Sequence, residues 1–328
     1  MSTQAEIYKP RNSIRVVTAT SLFDGHDAAI NIMRRIIQDT GVEVIHLGHN
    51  RSVQEIVDAA IEEDVQGVAV SSYQGGHIEF FKYLVDLLRE RGAPHVKVFG
   101  GGGGVIVPEE IRELEAYGIA KIFSPEDGAR MGLQGMINHL VKALDFPTFN
   151  DFNFALDALA PDNKRLVANL ITAAEVAKAQ ENGHLANLRA EFSRRIAGRT
   201  VPVIGITGTG GAGKSSLTDE LIVRILNDLT QVRVAVLSCD PSRRKTGGAL
   251  LGDRIRMNAI GNPRIFMRSL ATRGSSTEIP AALADAILAV KAAGYDLVIT
   301  ETAGIGQGDS SIVDLVDLSL YVMTSEFG

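Results

Sequence analysis

The sequence predicts an α/β protein made of two doubly wound parallel-sheet regions, and three observations carry that prediction. Short runs that are apolar at nearly every position alternate with longer stretches of helical period, as expected for strands covered by helices on both faces. Gly41, Gly92 and Gly118 stand just past helical stretches, where glycine ends a helix. From Val201 an apolar strand runs into Gly208-Thr209-Gly210-Gly211-Ala212-Gly213-Lys214-Ser215-Ser216 and then into an apolar-periodic helix. That is the strand–G-x-x-x-x-G-K-[ST]–helix arrangement of a phosphate-binding loop.

In the first region, strands are predicted near Ile14–Ala19, Val42–Leu47, Val65–Ser71, Val96–Phe99 and Ala120–Phe123. Helices are predicted near Asp27–Asp39, Val53–Glu63, His77–Arg91, Pro108–Tyr117 and Glu126–Leu144. Right-handed strand–helix–strand crossovers wind such a chain into a flavodoxin-like sheet. Phe146 to Asp162 changes texture, with two prolines, several phenylalanines and asparagines, and no period; it reads as a linker packed on a surface. Asn163 to Gly198 reads as a solvated connecting helix. The strand Val201–Thr207, the helix Leu217–Leu229 and strands near Val232–Ser238, Tyr295–Thr300 and Leu318–Thr324 make up the second region. The expected domains are 1–145, a linker over 146–198, and 199–328.

The chain has 328 residues, 45% of them hydrophobic, and a net charge of −6. That length holds two domains, and the mild acidity argues against a nucleic-acid surface. No apolar run is long enough to span a bilayer. The single cysteine, Cys239, excludes an intrachain disulfide and fits a reducing, cytoplasmic location.

Chemistry concentrates on loops at the carboxyl ends of strands, where open parallel sheets bind ligands. Asp24-Gly25-His26 follows the first strand. A histidine there, with a carboxylate two residues earlier to accept its far ring N–H, suits a metal ligand and its orienting partner. The alternative is a loop histidine beside an aspartate that caps the next helix. Ser71 ends a second strand, and Gly100-Gly101 opens a run of five glycines after another. Hydroxyls there can bond to a ligand's polar rim, and glycines let a bulky ligand approach the backbone.

In the second region, Gly208, Gly210, Gly211, Ala212 and Gly213 expose successive backbone N–H groups to phosphate oxygens, beside the helix N-terminus at Lys214, Ser215 and Ser216. Lys214 is expected to reach the β- and γ-phosphates and Ser215 to coordinate magnesium. Asp240 and Glu301 are carried to the same edge, where a magnesium site draws oxygens.

Asp24-Gly25-His26, Ser71 and Gly100-Gly101 together resemble the cobalamin-binding domain of adenosylcobalamin-dependent acyl-CoA mutases and corrinoid methyltransferases, over about Ile14 to Leu144. The resemblance implies that His26 binds cobalt from below and that the displaced nucleotide tail lies beside the serine and glycine loops. The family motif ends in glycine where this chain has Ala29. From Pro202 onward, Asp240-Pro241-Ser242, Thr246-Gly247-Gly248 and Gly252-Asp253-Arg254-Ile255-Arg256-Met257 resemble the G-protein chaperones of acyl-CoA mutases. That resemblance implies that Asp240, Asp253 and Glu301 surround magnesium, that Arg256 lies on a switch loop near the phosphates, and that Lys214, Arg256 and Glu301 serve hydrolysis. Glu301-x-x-Gly304 stands where most GTPases have Asp-x-x-Gly, and no Asn/Thr-Lys-x-Asp guanine motif follows the phosphate loop.

A cobalamin domain joined directly to such a GTPase resembles the amino-terminal part of the fused isobutyryl-CoA mutase family. That resemblance implies radical isomerisation of isobutyryl-CoA to n-butyryl-CoA. It also implies adenosylcobalamin, GTP/GDP and Mg2+ as cofactors, an acyl-CoA site on a barrel outside this sequence, and a homodimer. The chain is therefore expected to be part of a longer protein. The other classes considered are a cobalamin-loading GTPase chaperone without a mutase step, and a corrinoid methyl carrier. The carrier is disfavoured because no helical cap precedes the first strand.

Overall fold

The computed structural model describes residues 6–181, 183–243, 245–273, 279–304 and 312–324. It divides into two compact units, Met1–Thr148 with Arg243–Gly252, and Phe149–Ser242 with Asp253–Gly328.

In the first unit, strands β1 (Arg15–Ser21), β2 (Glu43–Arg51), β3 (Gly67–Ser71), β4 (Lys97–Gly101) and β5 (Lys121–Phe123) alternate with helices α1 (Ala28–Asp39), α2 (Val53–Glu62), α3 (His77–Glu90), α4 (Pro108–Tyr117) and α5 (Pro125–Leu144). The all-parallel sheet runs β5-β4-β3-β1-β2 and then takes a sixth strand, β8 (Ala249–Leu251). Every residue of β1 is buried, which is why its sequence shows no alternation. Local chemistry starts the helices where the sequence places them. Ser52 and Glu55 form a reciprocal capping box on α2, and Ser124 and Asp127 do the same on α5, with Pro125 in its first turn. Strand order reverses between β1 and β3, so the crevice for a ligand opens over the carboxyl ends of those two strands.

In the second unit the parallel sheet runs β11-β6-β10-β7-β9. Its strands are β6 (Val203–Gly208), β7 (Val234–Asp240), β9 (Ile265–Ala271), β10 (Leu297–Glu301) and β11 (Leu318–Val322). Helices α6 (Lys164–Ala179), α7 (His184–Ile196) and α9 (Leu283–Ala293) join one hydrophobic cluster, and α8 (Lys214–Asp228) joins another.

Three expectations change here. Residues 163–198 are two helices rather than one solvated connector, because Val167, Ala168, Leu170, Ile171, Ala173 and Ala174 of α6 are fully buried. The texture change at 146–162 does not bound a separate linker: Leu159 belongs to that same core, and Phe149, Phe152 and Phe154 pack against it. Residues 243–252, placed by the sequence in the second region, lie in the first unit. Glu43, Val44 and Ile45 of β2 pair with Ala249, Leu250 and Leu251. This short strand gains ladder hydrogen bonds that a three-residue run cannot make alone.

Candidate functional site

The loop after β1 holds Asp24 and His26 as a unit. The Asp24 side chain is completely buried, whereas the His26 ring is 77% exposed. His26 Nδ1 lies 2.8 Å from Asp24 Oδ1, which also accepts the His26 backbone N–H at 2.9 Å. Asp24 Oδ2 accepts the Tyr73 N–H at 2.5 Å. Burial raises the Asp24 pKa, but the Tyr73 and His26 hydrogen bonds outweigh it and hold the carboxyl below its ordinary value. An ionised carboxylate on Nδ1 keeps the proton there and leaves Nε2, on the exposed ring, as the free donor atom. The capping alternative does not describe Asp24. Helix α1 begins after Asp27, which itself makes no side-chain cap, and Asp24 bonds instead to its own loop and to Tyr73 in the loop after β3.

Next to this loop is a cavity of about 330 Å³ lined by Ser71, the Gly100–Gly103 backbone, and apolar side chains of α1 and α5 such as Met33, Met136 and Ile137. Ser71 Oγ lies 3.2 Å from Thr20 Oγ1. At Gly100 a Cβ would fall 2.5 Å from the Phe81 ring and 2.6 Å from Ile122, so this glycine serves packing beneath the cavity. The glycines that shape the cavity edge lie further along. A Cβ on Gly102 would collide with the Ser72 carbonyl, and one on Gly103, where φ is +56°, would crowd the Tyr73 ring. Ala29 contributes its methyl to the cavity lining. The five-glycine run expected at this crevice thus supplies its lining through Gly102 and Gly103 as well as Gly100-Gly101, whereas nothing in the sequence marked Tyr73.

In the second unit, β6 delivers Gly208 and α8 begins at Lys214. Gly211 and Gly213 have φ of +81° and +92°, and a Cβ on Gly208 would strike the Val322 carbonyl. The loop's turns thus need glycine sterically, leaving Gly210 and Ala212 between them and Ser216 exposed in the first helical turn. Lys214 Nζ donates to the Gly208 and Thr209 carbonyls, both at 3.0 Å.

Three carboxylates gather behind this loop. Ser215 Oγ donates to Glu301 Oε1 at 2.7 Å, and Thr218 Oγ1 to Glu301 Oε2 at 3.1 Å. Asp253 accepts from Ser238 Oγ and from the Arg256 guanidinium. Asp240 Oδ2 is buried and has no hydrogen-bond partner among the described residues. Burial pushes the Asp240 carboxyl well above its ordinary pKa, and the charges of Asp253 and Glu301 add to it. Glu301 is likewise raised, first by burial, against the lowering effect of Ser215. Among the described residues no three His, Cys, Asp or Glu side chains form a ready-made metal cage.

The four arginines between Asp240 and Met257 separate. Arg243 pairs with Asp39, Arg254 is buried with a bond to the Met267 carbonyl, and Arg256 faces Asp253. Arg244 lies outside the described residues.

Comparison with known proteins finds a match for each of the two regions. Residues 14–133 match the B12 binding domain family, and residues 167–328 match the Methylmalonyl Co-A mutase-associated GTPase MeaB family. The class is thereby defined: a cobalamin-binding domain followed in one chain by a MeaB-type GTPase domain.

The chain is 62% identical over 326 residues to a fused isobutyryl-CoA mutase of Geobacillus kaustophilus, with 99% of this chain and 30% of that protein aligned. It is 63% identical over 320 residues to the protein of that name from Cupriavidus metallidurans, covering 97% and 29%. With the Nocardia farcinica protein of that name the identity is 57% over 323 residues, covering 98% and 29%. Over nearly its whole length the chain is similar to these proteins, and it spans about 30% of theirs. Among the described residues no helix is long and apolar enough to cross a membrane.

Proposed function

We propose that this chain is the cofactor-holding and nucleotide-hydrolysing portion of a mutase that isomerises isobutyryl-CoA to n-butyryl-CoA, with the acyl-CoA site on a part of the protein beyond this sequence. The observation that carries the reading is the paired sites in one chain: an aspartate-oriented, exposed imidazole beside an apolar cavity, and a phosphate loop backed by a carboxylate with one shielded oxygen that has no hydrogen-bond partner among the described residues. His26 would hold cobalt, with Asp24 fixing its tautomer. Ser71 and the Gly100–Gly103 backbone would line the bed of the nucleotide tail. Adenosylcobalamin, when bound, supplies the homolysis of its cobalt–carbon bond that starts such rearrangements.

On the second unit, Lys214 would place its ammonium at the phosphates, while Ser215, Asp240, Asp253 and Glu301 provide oxygens for Mg2+. The Asp240 oxygen without a partner and the raised carboxyl pKa values support this, because a divalent cation relieves the repulsion among buried acids. Arg256, already paired with Asp253, is the side chain best placed to respond to that ion. GTP is the proposed nucleotide, the cytoplasm the proposed location and a homodimer the proposed assembly.

Cob(II)alamin bound to the chain should show nitrogen superhyperfine splitting in its electron paramagnetic resonance spectrum. Labelling histidine with 15N should change the splitting, and His26→Ala should remove it. Lys214→Ala should abolish GTP hydrolysis and leave cobalamin binding intact. A splitting insensitive to the histidine label, or wild-type hydrolysis in Lys214→Ala, would defeat the corresponding half of the reading.

A further inference from the structure

We propose that Tyr73 is a positioning residue for the His26 imidazole, with its ring setting the plane in which that imidazole meets a metal. The inference rests on the reading of His26 as the cobalt ligand.

The His26 ring is largely exposed and is held on one side by a single hydrogen bond from Nδ1 to Asp24. Nδ1 and Nε2 lie on nearly opposite sides of an imidazole, so one bond at Nδ1 fixes where Nε2 sits better than it fixes the ring plane. The second constraint comes from Tyr73, whose ring centroid lies 5.7 Å from that of His26 with the planes tilted by 45°. This is the range in which aromatic pairs attract beyond simple burial.

The tyrosine is itself held from two directions. Its backbone N–H donates to Asp24 Oδ2, so one aspartate ties together the imidazole and the residue that packs on it. Its ring lies against Gly103, where a Cβ would stand 3.0 Å from Cε1. Glycine at that position keeps the seat of the ring open, and its φ of +56° is one that L side chains rarely adopt. The backbone hydrogen bond does not depend on the side chain at 73. Truncating the side chain therefore removes the ring contact while leaving the Asp24 clamp in place, which makes the two contributions separable.

The test is titration of the chain with cob(II)alamin, read by electron paramagnetic resonance with 14N- and 15N-histidine. Tyr73→Phe keeps the ring and should keep the wild-type dissociation constant and splitting. Tyr73→Ala should weaken binding by about 10–100-fold, the usual effect of losing a residue that orients a metal ligand. It should also lower the fraction of bound cobalt that carries the histidine splitting. Gly103→Ala, which crowds the seat from the other side, should move the same two readouts in the same direction and serves as the second variant if Tyr73→Ala is poorly folded. A wild-type splitting fraction and affinity in folded Tyr73→Ala, or in Gly103→Ala if that is the variant that folds, would overturn the proposal. Loss of the splitting in Tyr73→Phe as well would assign the effect to the hydroxyl and also overturn it. Absence of histidine splitting in the wild-type chain would instead overturn the ligand reading beneath it.

Discussion

At the scale of single residues, two aspartates at strand ends do opposite things with their charge. Asp24 is held ionised by three hydrogen bonds, so its carboxylate is a ready acceptor for the His26 ring. Asp24→Asn should weaken cobalamin binding by about 10–100-fold. Spectrophotometric titration checks this, and an unchanged dissociation constant with a lower melting temperature would mean that Asp24 serves only the folding of its loop. Asp240 is half-buried, with its Oδ2 shielded from solvent beside Asp253 and Glu301, and has its pKa raised. Above the ordinary carboxylate range the folded state therefore holds more protons than the unfolded chain, and stability must fall as pH rises from there toward the folded value. Asp240→Asn removes that loss. Without nucleotide, the variant should melt above wild type at pH 8, by roughly 2–4 °C if the relief is about 1 kcal/mol. The gain should shrink at pH 5, and the stabilisation by GTP with Mg2+ should disappear. Equal melting temperatures at both pH values would refute the repulsion account.

At the scale of elements, β8 carries the least expected feature. Three residues pair with the edge of the first sheet, although the chain on either side, Ser242 and Asp253, belongs to the second unit. Gly248 makes this possible, because a Cβ there would run into the Gln38 backbone carbonyl at the end of α1. Gly248→Ala should detach the strand, and amide hydrogens of 249–251 should exchange at least about tenfold faster, corresponding to about 1.4 kcal/mol of lost protection. Unchanged exchange would show that the backbone absorbs the methyl. α9 is another element that periodicity did not reveal. Leu283, Ala286, Ile287, Ala289, Val290 and Ala293 cover so much of its circumference that no polar face marks a helix. β9 was hidden by Arg268, whose charge interrupts an apolar run but is fully buried against Thr172 and Glu175 of α6.

At the scale of the whole molecule, chain connectivity runs from one proposed site to the other. Asp240 and Asp253 bracket a segment whose middle is a strand of the cobalamin-binding unit. If nucleotide and Mg2+ reorder Asp253, the strand ending two residues earlier is under the same restraint. Cobalamin affinity should then differ between GDP and a non-hydrolysable GTP analogue, typically by about 5–150-fold, and cobalamin must change the analogue's affinity relative to GDP by the same factor. Calorimetry around the cycle reads both. Gly248→Ala should reduce the coupling while leaving each ligand's own site intact. Equal cobalamin affinities in the two nucleotide states would reject an equilibrium link.

The sequence by itself determined the two parallel sheets, the loop carrying Asp24 and His26, and the phosphate loop with its glycines. Each of these follows from local rules: strand burial on both faces, helix-ending glycines, and backbone turns that only glycine tolerates. The partnership of Asp24 with His26 was legible too, since the two lie two residues apart. Tertiary structure alone decided what depends on residues distant in the chain. Tyr73 reaches Asp24 across 49 residues, Glu301 reaches Ser215 across 86, and the strand at 249–251 leaves the region its neighbours occupy for the edge of β2. It also decided that α6 is core, because an alanine-rich face reads as neutral in sequence and becomes apolar contact only when another surface closes over it.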